Sequence, residues 1–172
     1  GGRYRDLPRP WTRVGALLDA SGCHPGRSGA NALRVVARAS GIPGTRVDEV
    51  LELVALEGAA HRAVKGYSTA MRQRLALACV LLGDPDVLLL DEPANGLDPE
   101  GMRWLRTFLR ARAAEGKTIL VSSHVLAEVE QTVDNVLIIS KGRLVATGPL
   151  DSLGVGVSPV VRLRSPQAEL LQ

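Results

Sequence analysis

Aromatic side chains are scarce in this chain: two Trp, two Tyr and one Phe make up 3% of its 172 residues. That argues against a platform for stacking nucleic-acid bases. A surplus of one charge is lacking too. Lys and Arg number 21 against 18 Asp and Glu, and the net charge of +3 is too small to point to nucleic acid. The pI of about 9.2 comes from many arginines, interleaved with acids. There are two cysteines, Cys23 and Cys79, far apart and at no metal-binding spacing. A reducing cytoplasm is therefore expected, with both thiols as structural or surface residues and Cys79 in the core. No apolar run approaches the length of a membrane span, and no stretch reads as a signal peptide. Internal repeats are absent.

What is present is an ordinary globular balance, 45% hydrophobic and 23% charged, in a chain long enough for one domain with a real core. The chain begins at Gly1 rather than Met, which reads as a fragment whose C-terminus is also open to trimming. Residues 1–10, rich in Gly, Arg and Pro, form a surface lead-in, and residues 14–18 a short apolar strand. Apolar residues at helical spacing predict helices over 31–39 and 47–56. Ser68 reads as an N-cap opening a helix over 69–82, which Gly83-Asp84-Pro85 stops. A strand over 87–90 follows, then a helix from Pro99 to Ala114, a strand over 118–122 and a helix near 126–133. Residues 136–139 and 143–146 flank Lys141-Gly142 as a hairpin, and the tail has one helical turn over 149–153 and a strand-like run over 160–163. The first half is thus mostly helical. The second alternates strand and helix, so an α/β class with a parallel sheet and right-handed crossovers is expected.

Chemistry concentrates at Val87-Leu88-Leu89-Leu90-Asp91-Glu92-Pro93. An apolar run ending in two adjacent carboxylates must emerge from the core there, because an unpaired buried carboxylate costs several kcal/mol or more. Ligands of open α/β sheets gather at the carboxyl ends of strands. Asp91, last on the strand, suits a Mg²⁺ shell, and Glu92 suits a water, as phosphoryl transfer to water requires. A solvated acidic strand end would look the same. Ser68, before Thr69 and Ala70, places a hydroxyl at a helix mouth, which makes either an anion site or an ordinary cap. His124, at the carboxyl end of a strand, is within reach of a terminal phosphate or is a satisfied polar residue. In Asn95-Gly96-Leu97-Asp98-Pro99 the glycine permits a tight loop, and Asp98 can cap the next helix.

The order and spacing of these pieces closely resemble the ATP-binding cassette family, over nearly the whole chain and most specifically from Gly66 to Leu150. The resemblance implies a partial P-loop NTPase-like parallel sheet in the C-terminal half and an α-helical signature subdomain in the N-terminal half. Residues 1–20 would be a core remnant with the Q-loop region, 21–83 the helical subdomain, 84–153 the catalytic core and 154–172 a C-terminal extension. By likeness, residues 87–91 form the Walker B strand with Asp91 as metal ligand. Glu92 is the catalytic glutamate, His124 the switch histidine, and Asn95 to Asp98 the D-loop. Tyr67-Ser68-Thr69-Ala70-Met71 stands where the signature Leu-Ser-Gly-Gly-Gln belongs. ATP and Mg²⁺ are the implied cofactors. The implied partners are a membrane-spanning permease subunit and a second ATPase subunit, with no nucleic acid and membrane contact only through the permease. The type is bacterial multidrug or antibiotic export, at the cytoplasmic face.

Three departures accompany the resemblance. The phosphate loop, Gly-x-x-x-x-Gly-Lys-Ser/Thr, does not occur in these residues. Without it the chain offers Mg²⁺ ligands and little nucleotide affinity, so by itself it is expected to be inactive. Thr69 and Ala70 replace the paired signature glycines, and Ala70 would be strained by about 1 kcal/mol if the site needs positive φ. The Q-loop position falls near Asp19, whose shorter side chain replaces glutamine. Two other readings compete: a non-catalytic interaction module that lacks the phosphate loop, and a cassette acting in translation or DNA repair.

Overall fold

The computed structural model describes residues 3–18, 22–125 and 132–149, in two compact units divided after Leu126. Asp19, residues 126–131 of the helix expected over 126–133, residues 150–153 of the turn expected over 149–153 and the run expected over 160–163 lie outside the described residues; Thr132 and Val133 are not helical, and Pro149 ends a strand.

In the first unit, the strands β1 (Val14–Leu17), β2 (Val87–Leu90) and β3 (Thr118–Val121) form a parallel sheet in the order β1-β2-β3. Their register is even: Val87 pairs with Val14 and Thr118, and Leu90 with Leu17 and Val121. All three carboxyl ends therefore finish at one edge. A continuous apolar run such as Val87-Leu88-Leu89-Leu90 reads from sequence as a strand buried on both faces. In fact Leu88 and Leu90 are buried, while Val87 and Leu89 are half-buried. Side chains alternate across a strand, so one face joins the main core and the other is only partly covered by the described residues.

The helices form where the sequence supplies caps. α1 (Gly29–Ala39) starts at Ser28, whose Oγ accepts the Asn31 N–H at 3.3 Å. α2 (Thr45–Leu53) follows the Gly41-Ile42-Pro43-Gly44 break and buries Val47, Val50 and Leu51. Two 3-10 turns, Glu57–Ala59 and Val64–Gly66, lead to α3 (Thr69–Leu81). α4 (Pro99–Ala114) opens with Pro at its first position, where the missing N–H costs no hydrogen bond. One core takes in Leu33 of α1, Val47 and Val50 of α2, Leu75 and Leu77 of α3, and Leu88 and Leu90 of β2.

Apart from Tyr4, which is exposed, the scarce aromatics are used in packing. Trp104 and Phe108 of α4 stack with centroids 5.3 Å apart, and the Arg74 guanidinium of α3 lies 4.3 Å from the Trp104 ring centre. Tyr67 is buried and donates from its hydroxyl to the Ala59 carbonyl at 2.7 Å. The turn from α3 into β2 is tied on two sides. Lys117, beside β3, donates to the Asp84 carbonyl at 3.1 Å and stands 3.2 Å from its carboxylate. Arg46 of α2 donates to the Leu81 carbonyl at 3.3 Å. The two cysteines, far apart in the sequence, meet: Cys23 Sγ lies 4.0 Å from Cys79 Sγ, and both are half-buried against the core.

In the second unit, β4 (Asn135–Ser140) and β5 (Arg143–Pro149) pair antiparallel, longer than the expected strands and around the expected turn. Lys141 and Gly142 both have positive φ, 49° and 71°, as a two-residue hairpin of the primed type requires.

Candidate active site

Parallel register decides what gathers at the carboxyl edge of the sheet. Leu90 pairs with Val121, so the residues that follow, Asp91 and Ser122, leave the sheet side by side. The Ser122 hydroxyl donates to Asp91 Oδ1 at 2.5 Å and accepts the Glu92 N–H at 2.9 Å. One serine thus holds both carboxylate residues. Asp91 is further fixed by its N–H, which donates to the Leu17 carbonyl of β1 at 2.8 Å. Ser122 went unrecognised in the sequence as a site residue. The signal was a hydroxyl one residue past a strand end, and its meaning depends on which strand lies next door.

Glu92 has φ 44°, in the left-handed region that costs a non-glycine residue about 1 kcal/mol or more. The strain is held from both sides, by the N–H bond to Ser122 Oγ and by the Glu92 carbonyl, which accepts the Asn95 N–H at 3.1 Å. The resulting sharp turn sends the Glu92 side chain along the sheet edge toward His124. There Glu92 Oε1 lies 2.9 Å from His124 Nδ1. An ionised carboxylate only accepts, so the imidazole donates from Nδ1. The His124 side chain is 73% exposed and that of Glu92 36%, so both remain open to water and to a ligand. His124, apart from the Asp91-Glu92 pair in the sequence, is therefore brought to it.

Ser68, Thr69, Ala70 and Asp98 sit around two helix N-termini. Ser68 caps α3: its Oγ accepts the Met71 N–H at 3.2 Å, and its carbonyl accepts the Arg72 N–H at 3.0 Å. The N–H groups of Thr69 and Ala70, in the first turn, have no carbonyl of the helix to reach and point outward. Ala70 is the second residue of α3 and is not among the positive-φ residues. The expected backbone strain is therefore absent, because a helical N-terminus already exposes its N–H groups. Asp98 Oδ1 accepts the Gly101 N–H at 2.8 Å and caps α4. Gly96, at φ 71°, lets the intervening loop turn, and a Cβ there would come within 3.2 Å of Thr69 Cγ2. The Asn95–Asp98 loop and the mouth of α3 are thus neighbours.

The donor set suits a hard divalent cation held mainly by substrate and water. Among the described residues no three acidic, His or Cys side chains cluster as a metal cage. Magnesium is usually bound by one or two carboxylates plus phosphates and waters. Asp91, with Oδ1 oriented by Ser122 and Oδ2 left over, fits that pattern. No helix among the described residues is long and apolar enough to cross a membrane.

Comparison with known proteins identifies the family. The family profile described as ABC transporter matches residues 10–95, half of the chain. The chain is 45% identical over 134 residues to the uncharacterized ABC transporter ATP-binding protein YhcH of Bacillus subtilis (strain 168), covering 77% of this chain and 44% of that protein. It is 40% identical over 143 residues to the bacitracin transport ATP-binding protein BcrA of Bacillus licheniformis, covering 82% and 47%. With the lantibiotic transport ATP-binding protein SrtF of Streptococcus pyogenes, identity is 34% over 142 residues, covering 80% and 62%. The chain spans about half the length of the curated relatives it matches. Among solved structures, cbiO1 from Clostridium perfringens, part of the ABC transporter complex cbiONQ, superposes with a TM-score of 0.75 at 26% identity, over 86% of this chain and 61% of that one. With that fold and that profile, the chain belongs to the ABC transporter family, as part of its ATP-binding domain.

Proposed function

We propose that the full-length protein is the ATPase subunit of a bacterial ABC transporter, coupling ATP binding and hydrolysis to export across the cytoplasmic membrane. The observation that carries this reading is the Glu92–His124 contact of 2.9 Å beside Asp91 at one strand edge. Glu92 accepts a hydrogen bond from the water that attacks the γ-phosphorus. His124 holds the Glu92 carboxylate from Nδ1 and keeps its other nitrogen facing the terminal phosphate. Asp91 would hold Mg²⁺, which would supply charge neutralisation on the phosphates. Ser122 acts through Asp91 and Glu92 as a positioning residue.

Ser68, Thr69 and Ala70 serve a second ATPase subunit in a dimer: the Ser68 hydroxyl and the outward N–H groups of α3 meet the γ-phosphate of ATP bound there. Asp98 lines the same junction, and Asp19 stands at the Q-loop position. The division into core remnant (1–20), helical subdomain (21–83), catalytic core (84–153) and extension (154–172) belongs to this reading. So does a membrane-spanning permease subunit that receives the helical part at the cytoplasmic face. The bacitracin and lantibiotic transport relatives support export of an antibiotic-like cargo.

Purified with its membrane-spanning partner, the full-length protein is expected to release phosphate from ATP in magnesium and to stop in excess EDTA. Partner binding without magnesium-dependent turnover would instead establish a non-catalytic interaction module.

A further inference from the structure

The geometry points to an intramolecular redox pair: we propose that Cys23 and Cys79 are converted by a peroxide to a disulfide that ties the segment between β1 and α1 to α3. The two sulfurs are 56 residues apart in sequence and 4.0 Å apart in space. A disulfide is about 2.05 Å long, so closure needs side-chain rotation and a small backbone shift rather than refolding.

The place in the fold gives the bond a purpose. Cys79 lies in the last turn of α3, whose first turn is capped by Ser68. The segment that follows Cys23 is already fastened to the approach to that first turn. The Pro25 carbonyl accepts the Lys65 N–H at 2.9 Å, the Arg27 carbonyl accepts the Val64 N–H at 2.9 Å, and Ser28 bridges Ala63. A Cys23–Cys79 bond adds a covalent tie at the opposite end of α3. One short segment would then hold the helix at both ends.

The two thiols are not equivalent. The hydrogen bond with Cys79 draws the Cys23 thiol down to about 7, against the burial that raises it. The Cys79 thiol is pushed well up, first by that same hydrogen bond and then by burial. Either sulfur can donate in the contact, and Cys23 is the thiol drawn toward neutral pH. The thiolate is the reactive form of cysteine. In the reaction the Cys23 thiolate attacks one peroxide oxygen, the O–O bond breaks, and Cys23 becomes a sulfenic acid while hydroxide leaves. The Cys79 sulfur then attacks the Cys23 sulfur, the S–O bond breaks, and water leaves. Two thiols lose two electrons to one hydrogen peroxide, and their two protons end in two waters. The pair stands whether or not the chain hydrolyses ATP.

The test is peptide mapping of the full-length protein after brief hydrogen peroxide treatment, alkylation of residual thiols and tryptic digestion. The expected product joins residues 14–27 to residues 75–103 and is lost on reduction. In Cys79→Ser, Cys23 is expected to be trapped by dimedone as sulfenic acid. In Cys23→Ser, Cys79 is expected to stay a thiol at the same peroxide dose. Wild-type alkylation at Cys23 is expected to be half-maximal near pH 7 and to move toward the ordinary thiol range in Cys79→Ser. Recovery of both peptides as separately alkylated or separately oxidised species would overturn the proposal. So would a linkage found only between two chains. The wild-type mapping decides the matter even if a variant fails to fold.

Discussion

Replacing Glu92 by glutamine in the full-length protein is expected to lower steady-state phosphate release by at least about 100-fold while ATP binding persists. The size follows from the role. A positioned general base contributes roughly 10² to 10⁴ in rate, and a hundredfold loss corresponds to about 2.7 kcal/mol of barrier. The change is nearly isosteric. The N–H bond to Ser122 Oγ and the carbonyl bond from Asn95 are backbone bonds, so the strained turn survives. What is lost is the negative charge that accepts from His124 Nδ1 and from the attacking water. Phosphate release and nucleotide binding are measured on the same preparation. A variant that keeps a rate near the wild type would remove Glu92 from the chemistry and leave it as a solvated strand end.

The second large effect is at Ser122. Ser122→Ala deletes one hydrogen bond to the Asp91 carboxylate and one from the Glu92 N–H. Hydrogen bonds to charged groups contribute about 1.5–3 kcal/mol, and both partners here are accessible to water, so about 1–2 kcal/mol is reasonable. That predicts a roughly fivefold to thirtyfold loss of turnover. The magnesium concentration for half-maximal activity should rise, because Asp91 Oδ2 is no longer aimed by a bond to Oδ1. Ser122→Thr keeps the hydroxyl and should restore most of the rate. A purely structural role would lower the thermal midpoint and leave the magnesium dependence alone. An unchanged magnesium titration in a folded, slowed Ser122→Ala would place the serine outside the site.

Much of the architecture is legible from sequence because each element carries its own punctuation. β2 begins and ends as expected, since Pro85-Asp86 precedes it and two carboxylates close it. α4 does too, with Asp98 capping, Pro99 at the first turn and Gly116 just past the end. α2 is shorter than its apolar spacing suggests: the expected helix reaches Leu56, whereas the observed one stops at Leu53 and Ala55 turns to positive φ. The cap of α1 at Ser28 falls inside what reads as a loop, because a capping serine and a loop serine look alike until the helix is in place. The site residues Asp91, Glu92 and His124 are visible as residue types at strand ends. Their union is not, because it depends on β2 and β3 being parallel neighbours in one register. Ser122 and the Cys23–Cys79 contact are hidden for the same reason: both are long-range pairings with no local periodicity to announce them. The strain expected at Ala70 rested on a backbone angle borrowed from a glycine-containing signature, and a helical N-terminus removes the need for it.

The most direct measurement is a double-mutant cycle on phosphate release, using the full-length protein in single-turnover conditions with wild type, Glu92→Gln, His124→Ala and the double variant. Residues that act as one unit are strongly non-additive. If His124 works by holding the Glu92 carboxylate, His124→Ala should slow the wild type by tenfold or more, on the order of 1.4 kcal/mol. The same change should slow Glu92→Gln hardly at all. Two losses that simply add, with the double variant slower than either single variant by the full product, would contradict a shared hydrolytic centre at Glu92 and His124.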